Sequence, residues 1–296
     1  MSHPSADRTS CSDPAAGAGV AIGATYIGHD PALLELMLPH VDYLEVTLET
    51  IAKIDGERIT LSADVMSELK TAQQRVKIIV HGITLSLGSH EGWSPNYFQL
   101  MDQFLDQVDV AWHSEHLGYT KVDGAELGLM LAMPKTDAAL DMLSERICTI
   151  QRLYHMPLLI ENIVHVIPDY AGEFSDAQFL NALTDNTGCG LLLDLYNLEC
   201  DAHNIGFDIP AFMNELNHAP VRELHLARGV ERNGFLLDVH SRLTQPSTVE
   251  LARQALTCPH SSAEVAVFEF LAEAVPGLGH QDIVNELVRL RARLGH

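Results

Sequence analysis

The sequence predicts a (β/α)8 barrel, also called a TIM barrel, and two observations lead to this fold class. Eight short apolar runs recur along the chain, and segments with helical periodicity lie between them. The chain has 296 residues, 47% of them hydrophobic and 20% charged, which suits one large α/β unit. A doubly wound open sheet is the second possibility, but no G-x-G-x-x-G motif follows the first strand.

The eight strands are predicted where short apolar runs stand between polar or glycine-containing segments. In chain order they fall at residues 19–26, 42–48, 76–82, 109–117, 156–162, 189–197, 221–227 and 264–270. Amphipathic patterns predict helices such as 137–155 and 176–188, and we expect the second to end at Gly188. Residues 1–18 are small and polar and are predicted to be a disordered leader, whereas 19–296 are predicted to form one metal-dependent catalytic domain.

Composition argues against two classes of partner. The net charge is −22, from 40 acidic and 18 basic residues, and a nucleic-acid-binding protein needs a positive surface, so no nucleic acid is expected. No apolar run reaches about 18 residues, so no membrane span is expected either. The five cysteines are scattered and form no C-x-x-C pair, which predicts reduced thiols and a cytoplasmic protein.

Six consecutive predicted strands finish with a side chain that can bind metal. These residues are His81, His116, Glu161, Asp194, His225 and Glu269. In a barrel, the C-terminal ends of the strands surround the mouth where the active site lies. One such histidine alone is more often a hydrogen-bonded core residue, and one such carboxylate more often a helix cap. Six together are costly to bury unless metal or mutual hydrogen bonds satisfy them, and this set of ligands suits iron, manganese or zinc.

Three further polar residues lie close to these strand ends in sequence. Asp238 and His240 form a D-x-H motif after the seventh strand, and in an extended segment both side chains point to one side. Asn197 follows Asp194 by three residues in the loop after the sixth strand, close enough for the two to serve adjacent metals.

The motifs together resemble a known family. They are "DYLEVTLET", "HGITLSLGS", "SEHLGY", "PLLIEN", "TGCGLLLDLYN", "HNIGFD", "RELHLA" and "DVHS", spread over residues 19–270. The chain resembles the multinuclear non-haem iron-dependent oxidative enzymes (MNIOs) of the methanobactin-biosynthesis type, within the xylose isomerase-like TIM-barrel superfamily. "HGITLSLGS" with "SEHL" and "TGCGLLLD" is the specific combination.

The resemblance implies two to three iron ions. His81 and His116 would bind one iron, and Glu161 would bridge it to a second, which Asp194, His225 and Glu269 complete. Asn197, Asp238 and His240 would form a third site. The apurinic nucleases of the superfamily have a histidine at the position equivalent to Asn197. Glu161, Asp194 and His225 would be the catalytic residues.

The activity implied by the resemblance is an oxidation that uses O2 as co-substrate. Its target would be a residue, commonly cysteine, of a ribosomally synthesised precursor peptide, and a small partner protein would recognise the leader of that peptide. The residues around the ligands depart from the family pattern. Arg228 stands where the family often has glycine, and it either faces an acidic group of the substrate or is an exposed loop residue.

Three other functions fit such a barrel. One is a zinc phosphoesterase of the apurinic endonuclease kind, which the charge of −22 and Asn197 both oppose. Another is a sugar isomerase or epimerase, which would not need so many histidines. The third is a non-enzymatic metal store or peptide-binding scaffold.

Overall fold

The computed structural model describes residues 19–55, 58–167 and 172–295. The predicted leader, residues 1–18, lies outside the described residues. The strands in chain order are β1 (Ala21–Thr25), β2 (Tyr43–Val46), β3 (Ala52–Asp55), β4 (Arg58–Leu61), β5 (Lys77–Gly82), β6 (Val110–His116), β7 (Gly118–Val122), β8 (Ala125–Ala132), β9 (Leu158–Glu161), β10 (Gly190–Asp194), β11 (Val221–Leu226), β12 (Val230–Arg232), β13 (Phe235–Leu237) and β14 (Val265–Phe268).

Helices alternate with these strands. They are α1 (Pro31–Met37), α2 (Leu48–Ile51), α3 (Ala63–Ala72), α4 (Pro95–Leu105), α5 (Asp137–Tyr154), α6 (Asp176–Thr187), α7 (Leu195–Ile205), α8 (Ile209–Glu215), α9 (Pro246–Thr257), α10 (Val275–Leu278) and α11 (His280–Leu294), with 3-10 turns at Leu38–His40 and Ala272–Ala274. None of the helices in the described ranges has the length and apolarity needed to cross a membrane.

The predicted barrel is confirmed. Eight parallel strands close into a ring in the order β1, β2, β5, β6, β9, β10, β11 and β14, and β14 pairs with β1. These strands are apolar on both faces because one face fills the barrel and the other packs against the helices. The larger apolar cluster lies between barrel and helices, and a smaller one around Trp112 and Leu192 fills the interior.

Local signals place the ends of several helices as predicted. Ser175 and Gln178 form a capping box at the start of α6, and Gly188 ends that helix in the left-handed conformation, with φ +67°. Helix α5 ends at Tyr154, one residue before the predicted end. The sixth strand is shorter than predicted, because Asp194 ends it and at once begins helix α7.

Three hairpins extend beyond the predicted elements: β3–β4, β7–β8 and β12–β13. Two of them turn at Asp123-Gly124 and Asn233-Gly234, where both residues of each pair have positive φ. Asp-Gly and Asn-Gly pairs favour tight hairpin turns, so these dipeptides were a signal for the hairpins. The hairpin β12–β13 follows β11 directly and therefore lies at the C-terminal end of the barrel.

We predict that Gly82→Ala lowers the free energy of unfolding by about 1–3 kcal/mol. A Cβ at this position would overlap the Glu115 carboxylate and the Tyr97 hydroxyl. Both groups are buried and contact His113, so they have little room to move. The measurement is urea denaturation followed by circular dichroism.

The matched control is Gly277→Ala in α10, where a Cβ would have no neighbour within 4 Å. We expect this variant to be as stable as the wild type or slightly more stable, since alanine favours helix. Equal stability of the two variants would contradict the packing described around Gly82.

Candidate metal centre

The side chains at the ends of β5, β6 and β9 meet in a first group. The Nε2 atoms of His81 and His116 lie 3.2 Å and 3.3 Å from the same oxygen, Oε2 of Glu161. The strands are neighbours in the barrel, and His116 is in register with Glu161. The parallel sheet therefore brings together three residues that are far apart in sequence.

Hydrogen bonds on the far side of each ring orient these two histidines. Nδ1 of His116 donates to the carbonyl oxygen of Gly82 at 2.9 Å. Nδ1 of His81 lies 2.9 Å from Oγ of Ser114, which itself donates to the Val80 carbonyl, so His81 is the donor. In both rings the proton is then on Nδ1, and the lone pair of Nε2 faces the centre of the mouth.

His225, at the end of β11, lies in the middle of the site and is fully buried. Its Nδ1 is 2.8 Å from Oε2 of Glu269, and 3.9 Å from both Glu161 Oε1 and Asp194 Oδ2. Its Nε2 donates to Oε2 of Glu45 at 2.8 Å. The ring thus links the strand-end carboxylates to a carboxylate deeper in the barrel.

Glu45 is a functional candidate that the sequence analysis did not single out. It lies near the end of β2, fully buried, with its carboxylate on His225. Glu223 lies 3.6 Å from the same ring nitrogen and accepts a hydrogen bond from Trp112 at 2.7 Å. The signal was present in "DYLEVTL", because a buried carboxylate near a strand end is the same pattern that identified the other ligands.

The two oxygens of Asp194 have different surroundings. Its Oδ1 caps helix α7 by accepting from the backbone N–H of Asn197 at 2.7 Å. Its Oδ2 is buried and has no hydrogen-bond partner in the described part of the chain. Asn162 braces the strand end, since its side chain bonds to both the backbone N–H and the carbonyl of Asp194.

Asn197 lies in the first turn of α7 and not in a loop, so that part of the prediction was wrong. The strand passes into the helix without a connection, because Asp194 is both the last strand residue and the cap. Asn197 is buried and its Nδ2 donates to the Asn162 carbonyl at 3.0 Å. Its Oδ1 has no hydrogen-bond partner within the described ranges and is free to accept a cation.

Asp238 and His240 meet, but not through the extended backbone that the D-x-H motif predicted. His240 has φ +37°, outside the extended region, so the prediction of two side chains on one side of a strand was wrong. The turn instead brings Oδ1 of Asp238 to 2.6 Å from Nε2 of His240. Nδ1 of His240 faces Glu269 Oε1 at 3.1 Å.

Three overlapping groups result at the mouth, each with candidate ligand atoms within 4.8 Å of one another. They are His81, His116 and Glu161; Glu161, Asp194 and His225; and Asp194, His240 and Glu269. Neighbouring groups share a carboxylate, Glu161 or Asp194. All six strand-end residues thus converge at one mouth, and Asp194 and Glu269 also lie beside the predicted third-site residue His240.

Burial shifts the protonation of these residues strongly. Burial raises the pKa of Glu161 well above its ordinary value and, with the nearby Asp238, raises the pKa of Asp194 to about 8. Burial lowers the pKa of His81 far enough that its ring is neutral. Burial also disfavours a charged His225, but Glu45 and Glu269 outweigh it and raise the pKa of that ring. At neutral pH Glu161 and Asp194 therefore retain protons unless a cation replaces them. Glu269 differs, because its burial is outweighed by His240 and His225, which hold its pKa well below the ordinary value.

These features fit bound metal. Neutral imidazoles with oriented Nε2 atoms, clustered carboxylates and the unpartnered oxygens Asp194 Oδ2 and Asn197 Oδ1 are ligands for first-row transition metals. A set of nitrogen and oxygen donors without thiolate suits iron, manganese or zinc. In His81, His116, His225 and Asp194, one nitrogen or oxygen is held by a hydrogen bond within the protein, as is usual for metal ligands.

Solved structures that resemble this one show the fold. A xylose isomerase domain containing protein from Salmonella typhimurium has a TM-score of 0.65 at 12% identity, covering 94% of this chain and 98% of that one. Endonuclease IV from Thermus thermophilus has a TM-score of 0.57 at 16% identity, covering 93% and 98%. The barrel is therefore of the xylose isomerase-like type.

Sequence comparison identifies the family. A UPF0276 protein from Rhizorhabdus wittichii is 31% identical over 216 residues, which is 73% of this chain and 75% of that protein. A UPF0276 protein from Caulobacter vibrioides is 29% identical over 214 residues, 72% and 74% of the two chains. The model of the family described as "RiPP precursor modification enzyme MbnB/TglH/ChrH" matches residues 25–270, and RiPPs are ribosomally synthesised and post-translationally modified peptides. The chain belongs to this family of RiPP precursor modification enzymes.

Proposed function

We propose that this protein is an iron-dependent oxidase that uses O2 to modify a cysteine of a ribosomally synthesised precursor peptide. The reaction would take place in the cytoplasm, with a small partner protein that recognises the peptide leader. Membership of the RiPP precursor modification family supports the peptide substrate. The nitrogen and oxygen donors of the candidate metal centre are compatible with iron, and the oxidation with O2 is what the resemblance to the MNIO enzymes implies.

The observation that carries the proposal is the sharing of carboxylates between neighbouring ligand groups. Glu161 belongs to the first and second groups, and Asp194 to the second and third. The two oxygens of Glu161 face different groups, Oε2 toward His81 and His116 and Oε1 toward His225, so this carboxylate could hold two cations close together. Asp194 would offer both of its groups the same oxygen, Oδ2, because Oδ1 caps helix α7. When bound, an iron pair would supply one-electron redox chemistry and an open position for the substrate thiolate and O2.

The protein's own residues would orient and shield this centre. Ser114, Gly82 and Glu45 hold the rings of His81, His116 and His225, so that one nitrogen of each faces the centre. The three residues proposed as catalytic, Glu161, Asp194 and His225, are at most 2% exposed. Bulk water is therefore kept from the place where oxidation would occur.

The peptide would approach from the side of the third group. His116, His240, Glu269 and Asp238 have side chains that are 12–24% exposed, and so form the outer part of the mouth. Of the candidate ligands at this outer end, Asn197 offers only a neutral amide oxygen, which is a weaker ligand than imidazole. We therefore assign the third site an auxiliary role.

The first test identifies the metal and the reaction, starting from protein purified without oxygen. We expect iron in elemental analysis, and O2 uptake with a cysteine-bearing precursor peptide encoded beside the gene. Asp194→Ala should lose the iron pair and O2 uptake, because Asp194 takes part in two ligand groups. Asn197→Ala should keep the iron pair and lose only part of the activity.

The control for Asp194→Ala is Asp208→Ala, which removes a similar helix cap from α8 but lies outside the candidate centre. Loss of either cap costs about 1 kcal/mol, so a difference in iron content between these variants reports on the ligand and not on the helix. An Asp194→Ala protein that retained its iron and consumed O2 normally would contradict the proposal. Zinc alone, with phosphodiester hydrolysis, would favour a hydrolase.

A second prediction concerns the number of metals lost by single variants. Glu161→Gln should lose metal from the first and second groups together, because Glu161 is the carboxylate they share. His240→Ala should lose metal only from the third group, where its ring lies beside Glu269. Elemental analysis and native mass spectrometry measure the metals per chain. Full metal content in both variants would rule out this assignment of ligands.

A third prediction concerns Glu45, which contacts the centre only through His225. Glu45→Ala should weaken metal affinity roughly 10- to 100-fold, since loss of an outer carboxylate frees the ligand ring to rotate. Affinity is measured by competition with a chromophoric chelator. The control, Glu286→Gln, changes a buried carboxylate on α11 that pairs with Arg289, and should leave metal affinity unchanged. Similar affinities for the two variants would remove Glu45 from the site.

A further inference from the structure

An open cavity of about 500 Å³ is lined by residues close in sequence to the third ligand group, and none of its lining residues is a candidate ligand. It is bordered by the residues after β11, the hairpin β12–β13 and the residue before α9, and we call it the arginine cavity. Its polar lining comes from Tyr196, Arg228, Glu231, Arg242 and Gln245. Its volume is in the range of small-ligand sites.

The backbone connects the arginine cavity to the metal centre. The N–H groups of Ser241 and Arg242 donate to the carbonyl oxygen of Arg228 at 2.9 Å and 3.0 Å, and Ser241 directly follows His240. Tyr196, on the inner wall, stands between Asp194 and Asn197 in the sequence. A group bound in the cavity would therefore lie next to the outer end of the centre.

Gly229 lets the hairpin form the outer wall of this cavity. A Cβ at Gly229 would overlap the backbone carbonyl of Leu237, so only glycine permits this close approach between the strand end and β13. The neighbouring residue, Arg228, is thereby held at the cavity edge. The backbone on this side of the cavity is therefore packed against β13.

Both arginines of the cavity are exposed at its edge and have no ion-pair partner among the described residues. Within the residues described, neither Arg228 nor Arg242 forms an ion pair within 4.0 Å, whereas Arg222, Arg289 and Arg291 each do. Glu231 lines the cavity but lies beyond that distance from both. The nearby Glu199 accepts hydrogen bonds from Gln245 and from Thr248 of α9. Its carboxylate is therefore paired with these polar groups and not with either arginine.

We propose that the arginine cavity binds a carboxylate of the peptide substrate and so places the residue to be modified at the metal centre. Two guanidinium groups can hold a carboxylate through paired, charge-assisted hydrogen bonds. The chain as a whole carries −22 and repels anions, so two unpaired arginines at one cavity form a local exception. This inference rests on the proposed function, since it assumes a peptide at the mouth.

The carboxylate has two possible sources, the C-terminus of the peptide or an Asp or Glu side chain. The probe is a mixture of heptapeptides with a fixed central cysteine and random flanking residues, prepared with free and with amidated C-termini. Immobilised iron-loaded protein captures peptides without oxygen, and mass spectrometry compares captured and starting mixtures. The proteins are wild type, Arg228→Gln, Arg242→Gln and the control Arg232→Gln, an exposed arginine of β12 outside the cavity.

We expect the wild type and Arg232→Gln to enrich carboxylate-bearing peptides, and each cavity variant to bind them about tenfold more weakly. Enrichment of free over amidated C-termini would identify the terminal carboxylate, and enrichment of Asp or Glu in both sets would identify a side chain. Iron content should be equal in all four proteins, which shows that the centre is intact.

Two results would overturn the inference. If the wild type captures cysteine peptides without regard to carboxylates, or if the cavity variants keep the preference, the arginine cavity is not the site, while the proposed function stands. If the wild type captures no cysteine peptide at all, the proposed function fails as well.

Discussion

Burying carboxylates and imidazoles against one another, away from water, is the constraint on which this structure depends. Glu161, Asp194 and His225 are almost fully covered, and each would be costly as an isolated charge. Hydrogen bonds on the outer side hold several of these groups in place: Ser114 holds His81, Glu45 holds His225, and the α7 backbone holds one oxygen of Asp194. These contacts leave the remaining lone pairs directed at the same small volume. A cation there would neutralise the carboxylates and allow them to lose their protons.

Asp194 shows that a helix cap and a candidate metal ligand can be the same residue. A carboxylate at a strand end that begins a helix is, by sequence, a helix cap, and the structure has that cap. Because the cap uses only Oδ1, the second oxygen is held rigidly and without a partner at the mouth, among the residues described. The helix thus orients a candidate ligand at no extra cost in side-chain entropy. The same cap places Asn197 in the first turn, close to the group it would complete.

The fold and the six strand-end residues could be predicted because both follow from topology. Strands of a parallel barrel all end on one face, so residues such as His81 and Glu269 meet there without knowledge of any distance. The grouping of ligands came only from the family resemblance and could not be derived from the residues alone, since it depends on strand register and on the left-handed backbone at His240. Glu45 was missed because it lies one residue before the end of β2 and its side chain bonds to His225, 180 residues away. Two hairpins had turn signals at Asp123-Gly124 and Asn233-Gly234. They were not predicted because the strands beside these turns are too short or too polar to show a clear strand pattern.

The candidate metal centre and the arginine cavity are formed by different parts of the fold. The six strand-end candidate ligands lie on barrel strands or immediately after them, where neighbouring strands and helices fix each side chain, whereas Asp238 and His240 follow the hairpin strand β13. The arginine cavity is instead bordered by β12–β13, a short hairpin inserted after β11, with exposed arginines on its edges. Surface segments tolerate change far better than barrel strands do. If the arginine cavity binds the substrate as proposed, substrate preference would change through residues such as Arg228 while the candidate ligands at the mouth stay the same.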